Sequence, residues 1–408
     1  MKRLESLVHT AIKESMSDIH ITGEHPVVTR KFGDIQFHNS LKWTHQEIDN
    51  LTLQLLNPQQ LEKLRKKNST DVSVSMSNAR LRINIFNTVR GISLAIRILP
   101  GNIPTIEELN LHTSLHDIAN IKSGLVLVCG PTGVGKTTTI ATIINDINKS
   151  RHSHIVTIED PVEYRYQSQK SFVEQREVGM HTPSFKQGLI DVLREDPDVI
   201  VVGELREGEV MQLALNAAES GHLVIATMHA GTPEEVIYRM CNAVHADAQN
   251  EIRNQLASTL VWLVVQQLPY LEKAGQPVPI LTIVHGTHAV KNIIRDNKIH
   301  QLNNIIETSK DEGMFSAERY LTHYLQNRSN YTPYSKIFRP SAELSRDDSY
   351  LSPVLMGKRQ TAATQEMYLS QYEKREPSSL VSTVEYGDEN AGNILNINDE
   401  TSLLNILE

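Results

Sequence analysis

The sequence predicts an α/β fold: a domain built on a parallel-type sheet, preceded by a smaller α+β domain. Two observations predict it. From about residue 105 to 330, short β-branched apolar runs alternate with stretches of helical period, as strand–helix–strand units require. Inside that region, Gly130-Pro131-Thr132-Gly133-Val134-Gly135-Lys136-Thr137 matches G-x-x-x-x-G-K-[ST]. The octet follows a strand-like run, 125–129 (LVLVC), and precedes a helical pattern of Ile140, Ile143, Ile144 and Ile147. Strand, glycine-rich turn and helix is the context in which backbone N–H groups and a helix N-terminus converge on phosphate. Lys136 would then reach the β- and γ-phosphates, and Thr137, followed by Thr138, would offer a hydroxyl to Mg²⁺.

The 408 residues allow two or three domains. In the smaller one, 1–100, an amphipathic helix (Leu4, Val8, Ile12) leads into extended Asp18-Ile19-His20-Ile21, and a helix is expected from about 46 to 66. Two alternating strands follow, 81–86 and 93–99, in which Arg82 and Arg97 fall on the side opposite the apolar residues. Pro100-Gly101-Asn102-Ile103-Pro104 opens a linker, 101–113. The α/β domain, 114–335, has expected strands at 125–129, 154–158, 199–202, 223–227 and 280–284. Its expected helices are 137–149, 184–195, 207–220 closed by Gly221, 233–245 with Thr232 as cap and Pro233 in first position, and 248–267 carrying Ile252, Leu256, Leu260 and Leu263. Residues 336–408 read as a polar, acidic, mobile tail: from Pro377 onward there are six acidic residues and no Lys or Arg. Its apolar end, Leu403-Leu404-Asn405-Ile406-Leu407, is either a frayed terminus or a short docking segment.

Charge narrows the function classes. The net charge is −8, from 40 basic and 48 acidic residues that are mostly interspersed, which argues against direct nucleic-acid binding. The one dense basic run, Lys63, Arg65, Lys66 and Lys67, suits the C-terminus of a solvated helix. Cys129 and Cys241 lie in apolar surroundings and read as buried thiols of a reducing compartment. With no apolar run of membrane-span length and no N-terminal signal pattern, the expectation is a cytoplasmic protein that meets a membrane only peripherally, through partners.

Phosphoryl transfer needs a carboxylate at the end of a neighbouring strand to orient water. Val199-Ile200-Val201-Val202-Gly203-Glu204 supplies one, and Glu204 is the expected catalytic carboxylate. A second strand, in 155–163 (IVTIEDPVE), ends in Glu159, Asp160 and Glu163, of which one or more should face metal and water. His222 and His229 flank the strand 223–227; zinc would need further ligands that are not evident.

Together these motifs resemble the secretion-superfamily ATPases of type II secretion and type IV pilus systems, most closely the pilus-retraction (PilT) family, over roughly residues 1–325. Ser17-Asp18-Ile19-His20-Ile21 is similar to the family's SDLHI signature, 158–163 (IEDPVE) to its aspartate box, 202–206 (VGELR) to its Walker B motif and 221–229 to its histidine box. Gln175-Arg176-Glu177-Val178-Gly179 and 193–198 (LREDPD) match the approach to Walker B, and 289–296 (AVKNIIRD) is a variant of AIRNLIRE. The resemblance implies a PAS-like N-domain, a RecA-like ATPase domain and a homohexamer in which an N-domain packs on a neighbour. It implies ATP and Mg²⁺, Glu163 as the aspartate-box acid assisting catalysis, nucleotide contacts from Arg82 and Arg97, and His222 and His229 near the nucleotide. The implied work is pilus retraction against an inner-membrane platform protein, with a paralogous motor subunit as a further partner. The same chemistry would serve a conjugation or secretion motor, and a nucleotide-binding accessory subunit is a further alternative. The absence of the tetracysteine zinc motif that assembly ATPases often carry favours the retraction branch; departures from it are Lys291 in place of the motif's usual arginine, Glu207-Gly208-Glu209 after Arg206, and the long tail.

Overall fold

The computed structural model describes residues 1–333 apart from 15, 32, 33, 77, 78, 100 and 101. The tail 336–408 with its apolar end, and Pro100 and Gly101 of the expected linker, lie outside the described residues.

Period-two alternation builds the first domain. After α1 (Lys2–Lys13) come β1 (Met16–Thr22), β2 (Pro26–Lys31) and β3 (Asp34–Lys42), then α2 (His45–Leu55), α3 (Pro58–Lys67), β4 (Ser69–Met76), β5 (Ala79–Thr88) and β6 (Gly91–Leu99). The strands form one antiparallel sheet in the order β3-β2-β1-β6-β5-β4. Ile19 and Ile21, Leu81, Ile83 and Ile85, and Leu94 and Ile96 pack in one core with Leu4 and Val8 of α1 and Ile48 and Leu51 of α2. The opposite face carries Asp18, Arg82 and Arg97. The helix expected over 46–66 is two helices. Asn57 accepts from the Gln60 N–H, Gln60 reaches back to the Asn57 N–H, and Pro58 stands in the first turn, so the chain stops and restarts there. The basic run ends α3, where cations suit the dipole.

The second domain holds a seven-stranded sheet: β7 (Gly124–Cys129), β8 (His154–Glu159), β9 (Phe172–Glu177), β10 (Val199–Val202), β11 (Leu223–Met228), β12 (Leu260–Gln267) and, past the two-residue strands β13 (Tyr270–Leu271) and β14 (Gln276–Pro277), β15 (Ile280–His285). Its order is β15-β12-β7-β11-β10-β8-β9, parallel except for β15, which runs antiparallel to β12. Helices α4 (Lys136–Ser150), α5 (Phe185–Val192), α6 (Gly208–Glu219), α7 (Pro233–Asn242), α8 (Gln249–Thr259) and α9 (His288–Arg295) accompany it. Thr232 caps α7 through the Glu235 N–H, with Pro233 in the first turn. Both cysteines are buried and free.

Three expectations change here. The helix expected over 248–267 ends at Thr259, and Leu260 and Leu263 belong to β12 instead. An apolar run buried on both faces satisfies helical spacing by accident, and pairing with β7 and β15 decides it as a strand. The expected linker is largely part of the second domain, because Ile106, Leu109 and Leu111 are buried in its core. The strands β2, β3, β4 and β9 were not expected; β3 is exposed on both faces and β4 is rich in hydroxyls, so neither shows clean alternation. Among the described residues no helix is long and apolar enough to cross a membrane.

Candidate nucleotide site

All six residues of β7 are buried, and the chain leaves the strand through Gly130 (φ +145°), Gly133 (φ +83°) and Gly135 (φ +90°) before α4 begins at Lys136. Those left-handed values favour glycine. At Gly130 a Cβ would also lie 2.3 Å from the Gln266 carbonyl, whereas at Gly133 it would meet open space. The loop is therefore packed against β12 at its base and open at its crown.

Lys136 Nζ donates to the Gly130 and Pro131 carbonyls at 2.9 and 2.8 Å and lies 3.3 Å from His229 Nδ1. Burial lowers its pKa, while the Glu204 charge acts the other way. An ammonium only donates, so His229 Nδ1 is the acceptor and Nε2 carries the proton. That Nε2 is 3.2 Å from Glu204 Oε1, which makes a chain Lys136–His229–Glu204 across the ends of three parallel strands or their loops. Glu204 Oε2 also pairs with Arg206 at 2.6 Å; the Glu204 side chain is 17% exposed and that of Arg206 is 72% exposed. A cleft of about 430 Å³ opens beside Glu204, Arg206, Met228, His229 and Arg239.

The three acids after β8 separate. Glu159 turns to the Thr157 hydroxyl (2.6 Å) and Gln175 Nε2 (3.2 Å), and burial pushes its carboxyl up to about 7. Asp160 is exposed. Burial raises the pKa of Glu163, and the charge of Arg82, the nearby Thr137 hydroxyl and the charge of Arg97 oppose that rise. The N-terminal domain's arginines thus act on the acid beside the phosphate loop. Arg82 and Arg97 are cross-strand neighbours in register, held by Asp71 (3.8 Å) and Asp18 (2.9 Å) respectively. Asp18 of the SDIHI segment thereby gains a physical role.

His222 is not brought to the phosphate loop within the chain. Parallel pairing puts Leu223 beside Gly124 and Met228 beside Cys129, so His222 lies at the strand edge away from the phosphate loop. Six residues of strand separate it from His229, about 20 Å. Its Nδ1 lies 3.0 Å from both Ser220 Oγ and the Ala217 carbonyl, at the end of α6. Within the protomer it stands at the other end of the strand from the phosphate loop.

Several residues of the site escaped sequence reasoning. Gln266 is 1% exposed; its Oε1 accepts from the Thr139 hydroxyl (2.8 Å) and its Nε2 donates to the Val134 carbonyl (2.6 Å), clamping the loop to α4. Tyr164 Oη lies 3.0 Å from Thr138 Oγ1. Arg80 shares the alternation of Arg82 and was legible on that ground alone. Of the other motif residues, Lys291 donates to the Ser258 carbonyl at 3.1 Å, and Asp198 accepts from the His154 N–H at 2.8 Å. Both ties are structural.

A loop open to phosphate, with a partly buried carboxylate two strands away across β11, is the working part of a P-loop ATPase, and the fold and site place the chain in that class. More narrowly, the chain belongs to the type II/IV secretion system protein family, whose model matches residues 1–304. It is 37% identical over 318 residues to a twitching motility protein of Neisseria gonorrhoeae, covering 78% of this chain and 85% of that protein. It is 36% identical over 320 residues to the type IV pilus retraction ATPase PilT of Pseudomonas aeruginosa, covering 78% and 92%. The crystal structure of the pilus retraction motor PilT with bound ADP superposes with a TM-score of 0.70 at 34% identity, covering 78% of this chain and 96% of that one.

Proposed function

We propose that the chain is a homohexameric motor that couples ATP hydrolysis to type IV pilus retraction, working on the cytoplasmic side of the inner membrane against a platform protein. The likeness to retraction proteins across both domains carries this reading. Lys136 and the loop amides would hold the phosphates, Glu204 would orient the attacking water, and His229 would hold Glu204 in place. The residues fit Mg²⁺ with its nucleotide: the crown of the loop is open, and the Thr137 hydroxyl stands beside Glu163. Mg²⁺, when bound, neutralises charge on the transferred phosphoryl group. Arg82 and Arg97 would add positive charge from the N-terminal domain, so that closure of the two domains depends on the nucleotide.

Two measurements test the reading. Glu204→Gln should keep ATP binding and hydrolyse at least about tenfold more slowly, as loss of a water-orienting carboxylate requires. Source cells carrying Glu204→Ala in place of the native protein should show excess surface pili and no surface motility. Absent pili, or normal pili with failed secretion or DNA transfer, would replace retraction with assembly, secretion or conjugation.

A further inference from the structure

Arg80 stands two residues before Arg82 on β5 and on the same sheet face, yet it points its guanidinium at the ATPase domain's backbone. Its Nε donates to the Val162 carbonyl at 2.7 Å, and its Nη2 donates to Glu177 Oε2 at 3.1 Å. The same Glu177 oxygen accepts the Val162 N–H at 3.1 Å. Both peptide units flanking Val162 are therefore held, one by Arg80 and the other by Glu177. The Val162 carbonyl belongs to the planar unit that carries the Glu163 nitrogen, so the Arg80 bond fixes the plane from which the Glu163 side chain departs. The Arg80 and Glu177 side chains are only 12% and 9% exposed, which shields the fork from the water that weakens surface pairs.

We propose that Arg80 is a positioning residue: docking of the N-terminal domain, through Arg80, Glu177 and the Val162 peptide, sets Glu163 against Thr137 and makes hydrolysis conditional on domain closure. The proposal rests on the reading of Glu163 as the acid that assists hydrolysis. Arg80 touches neither the phosphate loop nor Thr137, so it acts through Glu163. Its neighbours on the sheet strengthen the assignment. Arg82 lies two residues on along β5, and Arg97 faces Arg82 from β6, and both charges favour the ionised form of Glu163. One rigid sheet face thus supplies Glu163 with a backbone restraint and two countercharges. Withdrawal of that face removes all three at once, which is what a closure-dependent site requires.

The test is steady-state ATPase kinetics of the full-length protein as wild type, Arg80→Ala, Arg80→Lys, Glu163→Gln and the Arg80→Ala/Glu163→Gln pair. Arg80→Ala should lower kcat about 10- to 100-fold, the scale of a small misplacement at a reacting centre, with KM for ATP within about threefold. Arg80→Lys should recover part of the loss, because an ammonium can reach one acceptor of the fork without its planar geometry. The pair should be no slower than Glu163→Gln alone, since both changes remove the same placement. Unchanged kcat in Arg80→Ala, or a pair whose loss is the product of the two single losses, would overturn the proposal. If Arg80→Ala does not fold, Glu177→Gln tests the same fork and should show the same kcat-selective loss; unchanged kcat there would overturn it too. A Glu163→Gln variant that turns over ATP like wild type would instead sink the underlying reading of Glu163.

Discussion

Replacing Gln266 with leucine should loosen the phosphate loop without touching any residue expected to contact phosphate. Leucine is close in volume and has no polar atom, so the Thr139 hydroxyl and the Val134 carbonyl both lose their partner. Thr139 is 1% exposed, which leaves its hydroxyl in a dry site at about 1–3 kcal/mol, less what it regains by turning to the carbonyl one helical turn back. Val134 is only half-buried, so water can reach its carbonyl and that part falls to about 0.5–1 kcal/mol. The total is about 2–3 kcal/mol, or a melting temperature lower by about 4–12 °C for a domain of this size. A loop freed between Gly133 and Gly135 must be ordered again by the nucleotide, and about a tenfold weaker Kd corresponds to about 1.4 kcal/mol of that cost. Thermal unfolding and fluorescent-nucleotide titration of Gln266→Leu, Thr139→Val and the double variant would measure both effects. In the double variant the orphaned hydroxyl is gone, so stability should recover by about half. Unchanged melting and Kd in Gln266→Leu, or single effects that simply add in the double variant, would refute the clamp.

Two further expectations concern residues on either side of the site. Glu159 has a folded pKa of about 7 against an ordinary 4.5, because burial outweighs its bonds to Thr157 and Gln175. A raised carboxyl pKa means that the folded state binds the extra proton, so this group's stabilisation is complete below about pH 4.5 and is lost as pH rises through about 7. The advantage of Glu159→Gln over wild type in denaturant unfolding should therefore grow from pH 5 to 8, by at most about 3 kcal/mol; a constant difference would show that the carboxyl titrates normally. His222→Ala should leave nucleotide Kd within about twofold and cost about 0.5–1.5 kcal/mol at the end of α6, where its ring meets Ser220 and Ala217. A tenfold loss of affinity in fluorescent-nucleotide titration would bring His222 back to the nucleotide.

Strong local chemistry was readable from the sequence. The phosphate loop, the strand ending at Glu204, and Thr232–Pro233 at the head of α7 each combine a local pattern with a local cause, and each lies where that pattern puts it. Arg82 and Arg97 were legible as outward-facing because alternation is a property of a single strand. Failures came where pairing decides. Leu260 and Leu263 satisfied helical spacing, and only the partners β7 and β15 make that run a strand. Misplacing β12 hid Gln266, which reaches Thr139 across 127 positions of sequence. His222 shows a different limit. The resemblance implied that His222 and His229 both lie near the nucleotide, but a strand separates its two ends by its whole length, and the phosphate loop stands at the His229 end.

Arg82 and Arg97 also bear on why the site spans two domains. They sit directly opposite each other on β5 and β6, and like charges so placed destabilise a sheet by about 0.2–1 kcal/mol. Nothing in the packing of the N-terminal domain calls for the pair, since both project away from its core. Asp18 and Asp71 partly offset the repulsion, but the half-exposed guanidiniums stay within the electrostatic reach of Glu163 in the other domain. A face that is electrostatically costly alone and compensated by a carboxylate across the interface favours closure. In the reading proposed here, a γ-phosphate beside Thr137 would add negative charge at the same place, and its departure would remove that charge. The attraction between the domains would then fall on hydrolysis while the loop still held the diphosphate. Such a change in attraction is the differential binding that a nucleotide needs in order to shift a two-state equilibrium between closed and open domains.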